Sequence, residues 1–264
     1  MAKRNSKAWR RPLTVHSLAE YGGLDFDPPQ SEFRAAGPWE LSWQIWLLTP
    51  SKKESHHHGF VRIQKGALRS DSTFLLSVEQ HIIEQHGITR QKAQIRCRSD
   101  AVATPLWWEK RFDARFPKMN RTYASVGFEK KGSLSGSRIF DGALQKTVAL
   151  PLSSNWSLLE ALQRLAAGVT SEMPPFMLLD ELEKIKEEQR ITFAGRRQIA
   201  FGTKEISVNC YRHVGRAMLP WRYYFDLQGR LLIALSGLQA LILNPQVEEI
   251  QRKRLKRLGW EGFE

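Results

Sequence analysis

The stretch Trp221–Asn244, WRYYFDLQGRLLIALSGLQALILN, contains the most apolar run of the chain. Three readings compete for it: a membrane anchor, a core helix, or the closing hairpin of a sheet. A spanning helix needs about 20 continuous apolar residues. Leu231–Leu243 is only 13 residues long and is interrupted by Ser236, Gly237 and Gln239. Upstream, Trp221, Tyr223 and Phe225 alternate with Arg222, Tyr224 and Asp226, the period of a strand. Then comes Asp226-Leu-Gln-Gly229. The Asp side chain can cap a turn and the Gly can take a positive φ. Downstream, Arg230, Leu232 and Ala234 alternate with Leu231, Ile233 and Leu235. The stretch reads as a β-hairpin, followed after a bend at Gly237 by one more buried strand.

The same alternation runs through the first half of the chain. In WELSWQIWLL, Trp39, Leu41, Trp43 and Ile45 share one face, and Glu40, Ser42 and Gln44 the other. FVRIQKG, STFLLSVEQHII, TRQKAQIRCRSD, PLWWEKRFDARF and NRTYASVGFEKKG follow in the same style. Six such segments linked by polar loops predict an antiparallel meander. The pattern changes near Pro151. SSNWSLLEALQRLAAG, with Trp156, Leu159, Leu162 and Leu165 at helical spacing, predicts a helix over 153–167. PPFMLLDELEKIKEEQ, with Phe176, Leu179, Leu182 and Ile185, predicts a second over 174–188. The expected fold is therefore α+β: one large curved antiparallel sheet, a half-barrel, with the two inserted helices on or in its concave face. Residues 1–38 read as a basic extended arm, 39–245 as the single domain, and 246–264 as a basic tail that includes a short amphipathic helix.

The charge is unusual. Forty Lys and Arg against 27 Asp and Glu give +13. MAKRNSKAWRR carries five positive charges and no negative one, and QRKRLKR carries five more. Such a balance suits nucleic acid or another acidic partner. Arg96, Arg98, Lys110 and Arg111 lie close in sequence to Trp107 and Trp108, and an Arg/Trp sheet face of this kind can stack single-stranded bases. Nine Trp and 13 Phe suggest a core or groove built from large flat side chains.

Motifs for chemistry are missing. No Walker loop, G-x-S-x-G or H-E-x-x-H occurs. No cofactor and no metal are expected: His56–His58 read as an exposed polar turn, because adjacent strand residues point apart. Two readings remain for Cys97 and Cys210, one disulfide between neighbouring strands or two free thiols. Arg10-Arg11 is not followed by the apolar run of an export signal. The chain as written reads as cytoplasmic, or as an envelope protein if an upstream signal has been removed.

The hairpin with its Asp-x-x-Gly-Arg-Leu-Leu turn, the preceding GTKEISVNCYRHVG strand and the insert carrying PPFMLLDEL resemble bacterial lipoprotein-carrier-like half-barrel families over Trp39–Asn244. The resemblance implies a sheet wrapped round a central helix, with a groove for an acyl chain or similar apolar ligand. The expectation is a monomeric, non-enzymatic binding protein whose groove is lined by Trp39, Trp43, Trp156, Phe176, Trp221 and Tyr223. A basic module binding nucleic acid is the alternative.

Overall fold

The computed structural model describes residues 12–48, 57–84, 87–100, 102–117, 123–135, 138–141, 146–149, 156–157, 175–180, 182 and 184–257. Their strands are β1 (Trp39–Leu47), β2 (His57–Lys65), β3 (Thr73–Glu84), β4 (Gly87–Arg98), β5 (Pro105–Pro117), β6 (Tyr123–Ser135), β7 (Arg138–Asp141), β8 (Lys146–Ala149), β9 (Trp156–Ser157), β10 (Phe176–Asp180), β11 (Lys184–Phe201), β12 (Lys204–Val214), β13 (Trp221–Phe225), β14 (Leu231–Ser236) and β15 (Gln239–Leu243). They form one open sheet in the order 8-7-6-5-4-3-2-1-15-14-13-12-11-10-9. All neighbours are antiparallel except β9 and β10. Two runs of sequential strands, β1–β8 and β9–β15, thus meet where β1 pairs with β15, Trp43 opposite Leu243 and Ile45 opposite Leu241.

The stretch Trp221–Asn244 supplies the centre of that sheet. Its turn is built as its residues require. Asp226 Oδ1 accepts from the backbone N–H of Gln228 at 2.9 Å and of Arg230 at 2.8 Å, and Gly229 takes φ +82°. Every residue of β14 is buried. A central strand covered on both faces must be apolar at odd and even positions alike, and so its alternation disappears. One face carries Trp43, Ile45, Val61, Ile63, Tyr223, Ala234 and Leu241; it is called here the Trp43 face. The opposite, Ser42 face carries Ser42, Gln44, Arg62, Ile233 and Ile242.

Helices α1 (Val15–Glu20) and α2 (Val247–Arg257) cover the Ser42 face. Thr14 and Ser17 form a reciprocal capping box that starts α1, and Leu18 is fully buried. The Gln44 side chain donates to Gly23 O at 2.9 Å, which holds the end of this segment against β1. At α2, Ser42 Oγ donates to Glu248 at 2.7 Å, and Arg62 pairs with the same carboxylate at 3.1 Å. The stretch read as an extended arm thus contains a helix and contributes Leu13, Leu18 and Leu24 to the core.

Pro28–Ala36 is strapped to the sheet by two buried cations. Arg230, 1% exposed, donates to Pro29 O at 2.7 Å and to Ser31 O, and its guanidinium stacks over Phe33. Lys65 donates to Ala36 O and Gly37 O, each at 2.7 Å.

The two inserted helices need correction. The stretch 174–188 is not helical where described: Phe176–Asp180 is β10, and Lys184 opens β11. Leu182 turns the chain with φ +58°, which ends the helical spacing. Phe176, Leu178 and Leu179 are all buried, and β10 pairs with both β9 and β11. Of the helix expected over 153–167, Trp156 and Ser157 form a strand, and the rest lies outside the described residues. The described helices, α1 and α2, both lie outside the two stretches expected to be helical.

Candidate ligand site

Strand parity places the large side chains of β1, β2, β13 and β15 on one surface. A cavity of about 200 Å³ opens on the Trp43 face. Trp43, Ile45, Val61, Ile63, Trp221 and Leu231 make its apolar wall. Its polar margin is Gln80 and Gln91, which face each other across β3 and β4, together with Gln239 and the Asp180–Lys186 ion pair at 2.8 Å. Trp43 is fixed by its indole N–H, which donates to Leu231 O at 3.0 Å. Trp221 stacks on Tyr223 with centroids 6.3 Å apart and planes at 8°.

Behind Tyr223 lies a closed polar chain. The Gln189 amide nitrogen donates to Glu187 O at 2.6 Å and to Arg216 O at 3.2 Å. Its oxygen must therefore accept, so His213 Nε2–H donates to it at 3.0 Å. That leaves His213 Nδ1 to accept from the Tyr223 hydroxyl at 2.8 Å. His213 is neutral at pH 7: burial first, then the nearby Lys186 charge, lowers its pKa to about 4. Burial, and then Asp180, raises the Tyr223 phenol well above its ordinary value. The chain holds Tyr223 rigid at the cavity wall with no charge on either ring. Gly215 belongs to this arrangement, because a Cβ there would run into the Gln189 amide.

Of the expected lining residues, Trp43, Trp221 and Tyr223 meet at the cavity. Phe176 packs instead behind it on the His213 ring, 5.7 Å between centroids. Trp39 lies towards the opposite end of β1, its indole N–H on Ala35 O and its ring against Phe33. The Trp156 side chain lies outside what is described. Leu178, Asp180 and Lys186 line the cavity, although their stretch reads as a helix in sequence; Leu178-Leu179-Asp180 carries no period-2 alternation that would signal a strand.

The Arg/Trp group is divided by the sheet. Arg96 and Arg111 lie on the Ser42 face, Arg96 paired with Asp71 and Arg111 3.4 Å from Asp113. Arg98 is exposed. Lys110 and Trp108 are buried on the other face, at 2% and 3% exposure. The exposed turn expected at His56–His58 is corrected where it is described. His57 begins β2, stacks on Trp46 and takes a contact from Gln251 of α2 at 3.1 Å. Burial and the Arg254 charge lower its pKa to about 4. Among the described residues no cluster of His, Cys, Asp or Glu is arranged to hold a metal, and no helix is long and apolar enough to cross a membrane. Cys97 and Cys210 are both buried and form no disulfide with one another.

Comparison with known proteins assigns no relationship: no protein-family model matches the chain, and no curated protein matches it.

Proposed function

We propose that the protein binds an apolar or lipid-like small molecule on the Trp43 face, with the sheet curved about it as a half-barrel. The observation that supports this most is the cavity walled by Trp43, Ile45, Val61, Ile63, Trp221 and Leu231. Pockets for drug-sized ligands run to about 300–1,000 Å³. At about 200 Å³, this one suits part of a single acyl chain or a compact ring, and is too small for a diacyl lipid. The neutral amides at its margin offer donors and acceptors to a polar head. Among the described residues that line the cavity none is arranged as an activated nucleophile, which supports a binding role.

Two tryptophans in the wall make the test direct. Titration with a single-chain fatty acid, alcohol or monoacylglycerol should quench Trp43 and Trp221 emission, and native mass spectrometry should show a one-to-one complex. Trp221→Ala should weaken binding roughly ten-fold, about 1.4 kcal/mol. The absence of both a co-purified ligand and saturable quenching with all three probes would refute the proposal.

A further inference from the structure

We infer that the cavity on the Trp43 face selects a single-chain ligand with an uncharged hydroxyl or ester head, and discriminates against carboxylate and ammonium heads on the same chain. The inference deepens the proposed binding role and rests on it. Gln80 and Gln91 stand directly opposite each other on β3 and β4, and both line the cavity half-buried. Among the described residues neither side-chain amide has a hydrogen-bond partner. The fully buried glutamines Gln44 and Gln189 differ: Gln44 donates to Gly23 O, and Gln189 to Glu187 O and Arg216 O. Amides left open towards a cavity are satisfied by what enters it. Each offers two N–H donors and a carbonyl acceptor, the complement of a hydroxyl or an ester.

The charges of the cavity cancel. Among the described lining residues there is one cation, Lys186, and one carboxylate, Asp180. They pair with each other at 2.8 Å, each side chain 19% exposed. Tyr223 carries no charge, its hydroxyl donating to His213. Lys65 and Lys110 lie outside the described lining, Lys65 donating to Ala36 O and Gly37 O, Lys110 at 2% exposure. In the sheet order β2, β1, β15, β14 and β13, which carry most of the apolar wall, separate the two glutamines from the ion pair on β10 and β11. A tail laid on that wall therefore meets neutral amides at one margin and a neutralised pair at the other. Neither margin offers a charged head an unpaired counter-ion. Taking a charge out of water without one costs far more than burying a hydrogen-bonded hydroxyl.

The test titrates the full chain with an alkanol, an alkanoate and an alkylammonium ion of one chain length, each below its micelle concentration. The pH is about 8, where the carboxyl is ionised and the amine protonated. Tryptophan quenching gives the affinities, and native mass spectrometry the stoichiometry. The alkanol should bind about ten-fold tighter than either ion, or more. Gln80→Leu/Gln91→Leu should weaken alkanol binding roughly ten-fold and leave the ions little changed. It should keep the wild-type melting temperature, since the two amides bond to no described residue. Asp180→Asn removes the carboxylate beside Lys186 and should raise alkanoate affinity several-fold without strengthening alkanol binding. Alkanoate or alkylammonium binding as tight as the alkanol overturns the inference, as does a glutamine variant that holds the alkanol like the wild type. In both cases the apolar site itself still stands. No binding by any of the three head groups overturns the inference and the binding role together.

Discussion

The centre of the sheet and its β3–β6 wing are made of the same kind of strand under opposite constraints. β3–β6 are 12 or 13 residues long. Where described, the wing has one buried face, with Phe74, Leu76, Val78, Ala93, Ile95 and Trp108, and one polar face, with Ser77, Glu79, Lys92, Gln94, Glu109 and Arg111. β14 and β15 are five or six residues long and flanked by structure on both faces. The wing gains cohesion from length and from charge pairing on its wet face. The centre gains it from burial on two sides.

The largest effect is expected at the centre. Ile233, fully buried, should cost about 2–5 kcal/mol as Ile233→Ala. Ser77→Ala on the wing should stay within about 0.5 kcal/mol. Urea denaturation of both variants measures the contrast, and equal losses would break it. Next comes the strap at the edge of the centre. Arg230→Met retains much of the bulk but leaves Pro29 O and Ser31 O unpaired, and should cost about 2–3 kcal/mol. Limited proteolysis should then cut first within residues 28–37.

Gly215→Ala should follow at about 1–3 kcal/mol, because the Gln189 amide occupies the space a Cβ needs. The loss should appear together with altered Tyr223 packing, read by near-UV circular dichroism.

The smallest effects concern pH. His57 and His213 have folded pKa values of about 4 against 6.5 unfolded. The unfolded chain therefore takes up protons first, and stability falls as pH drops from about 6.5 to 4. His57→Phe keeps the stack on Trp46 and should remove part of that slope. On the wing, Glu79 lies among His81, Arg90, Lys92 and Arg62. Hydrogen bonding from His81 and the neighbouring Arg90 and Lys92 charges hold its carboxyl below the ordinary value. Its stabilisation is complete above the unfolded value of 4.5 and is lost as pH falls below it. Glu79→Gln should flatten the curve only in that lower window, as read from urea midpoints against pH.

These contrasts explain what could be read from the sequence. The Asp226–Gly229 turn was legible because its requirements are local, a carboxylate cap and a residue tolerant of positive φ. Trp43 and Trp221 come to one face because alternation fixes which face a strand residue occupies. β10 and the start of β11 were misread because FMLLDELEKI satisfies helical spacing as well as a strand–turn–strand. Pairing with β9 decided between them, and the left-handed turn falls on Leu182, which carries no glycine signal. The helix α2 was foreseen, but not its contact with His57, since 194 residues separate Gln251 from that ring. The roles of Arg230 and Lys65 were hidden for the same reason: their acceptors are backbone carbonyls in a remote segment.

The pairing of β1 with β15 also has a consequence for synthesis. Gln44 and Asn244, hydrogen-bonded in the finished sheet, lie 200 residues apart in the chain. Until the last strands leave the ribosome, the inner edge of the first run of strands has no partner. An unpaired edge beside a half-formed core is a template for association between nascent chains. The chain therefore completes its most apolar strands last, and nascent copies truncated before Leu231 should aggregate through the β1 edge that β15 later covers.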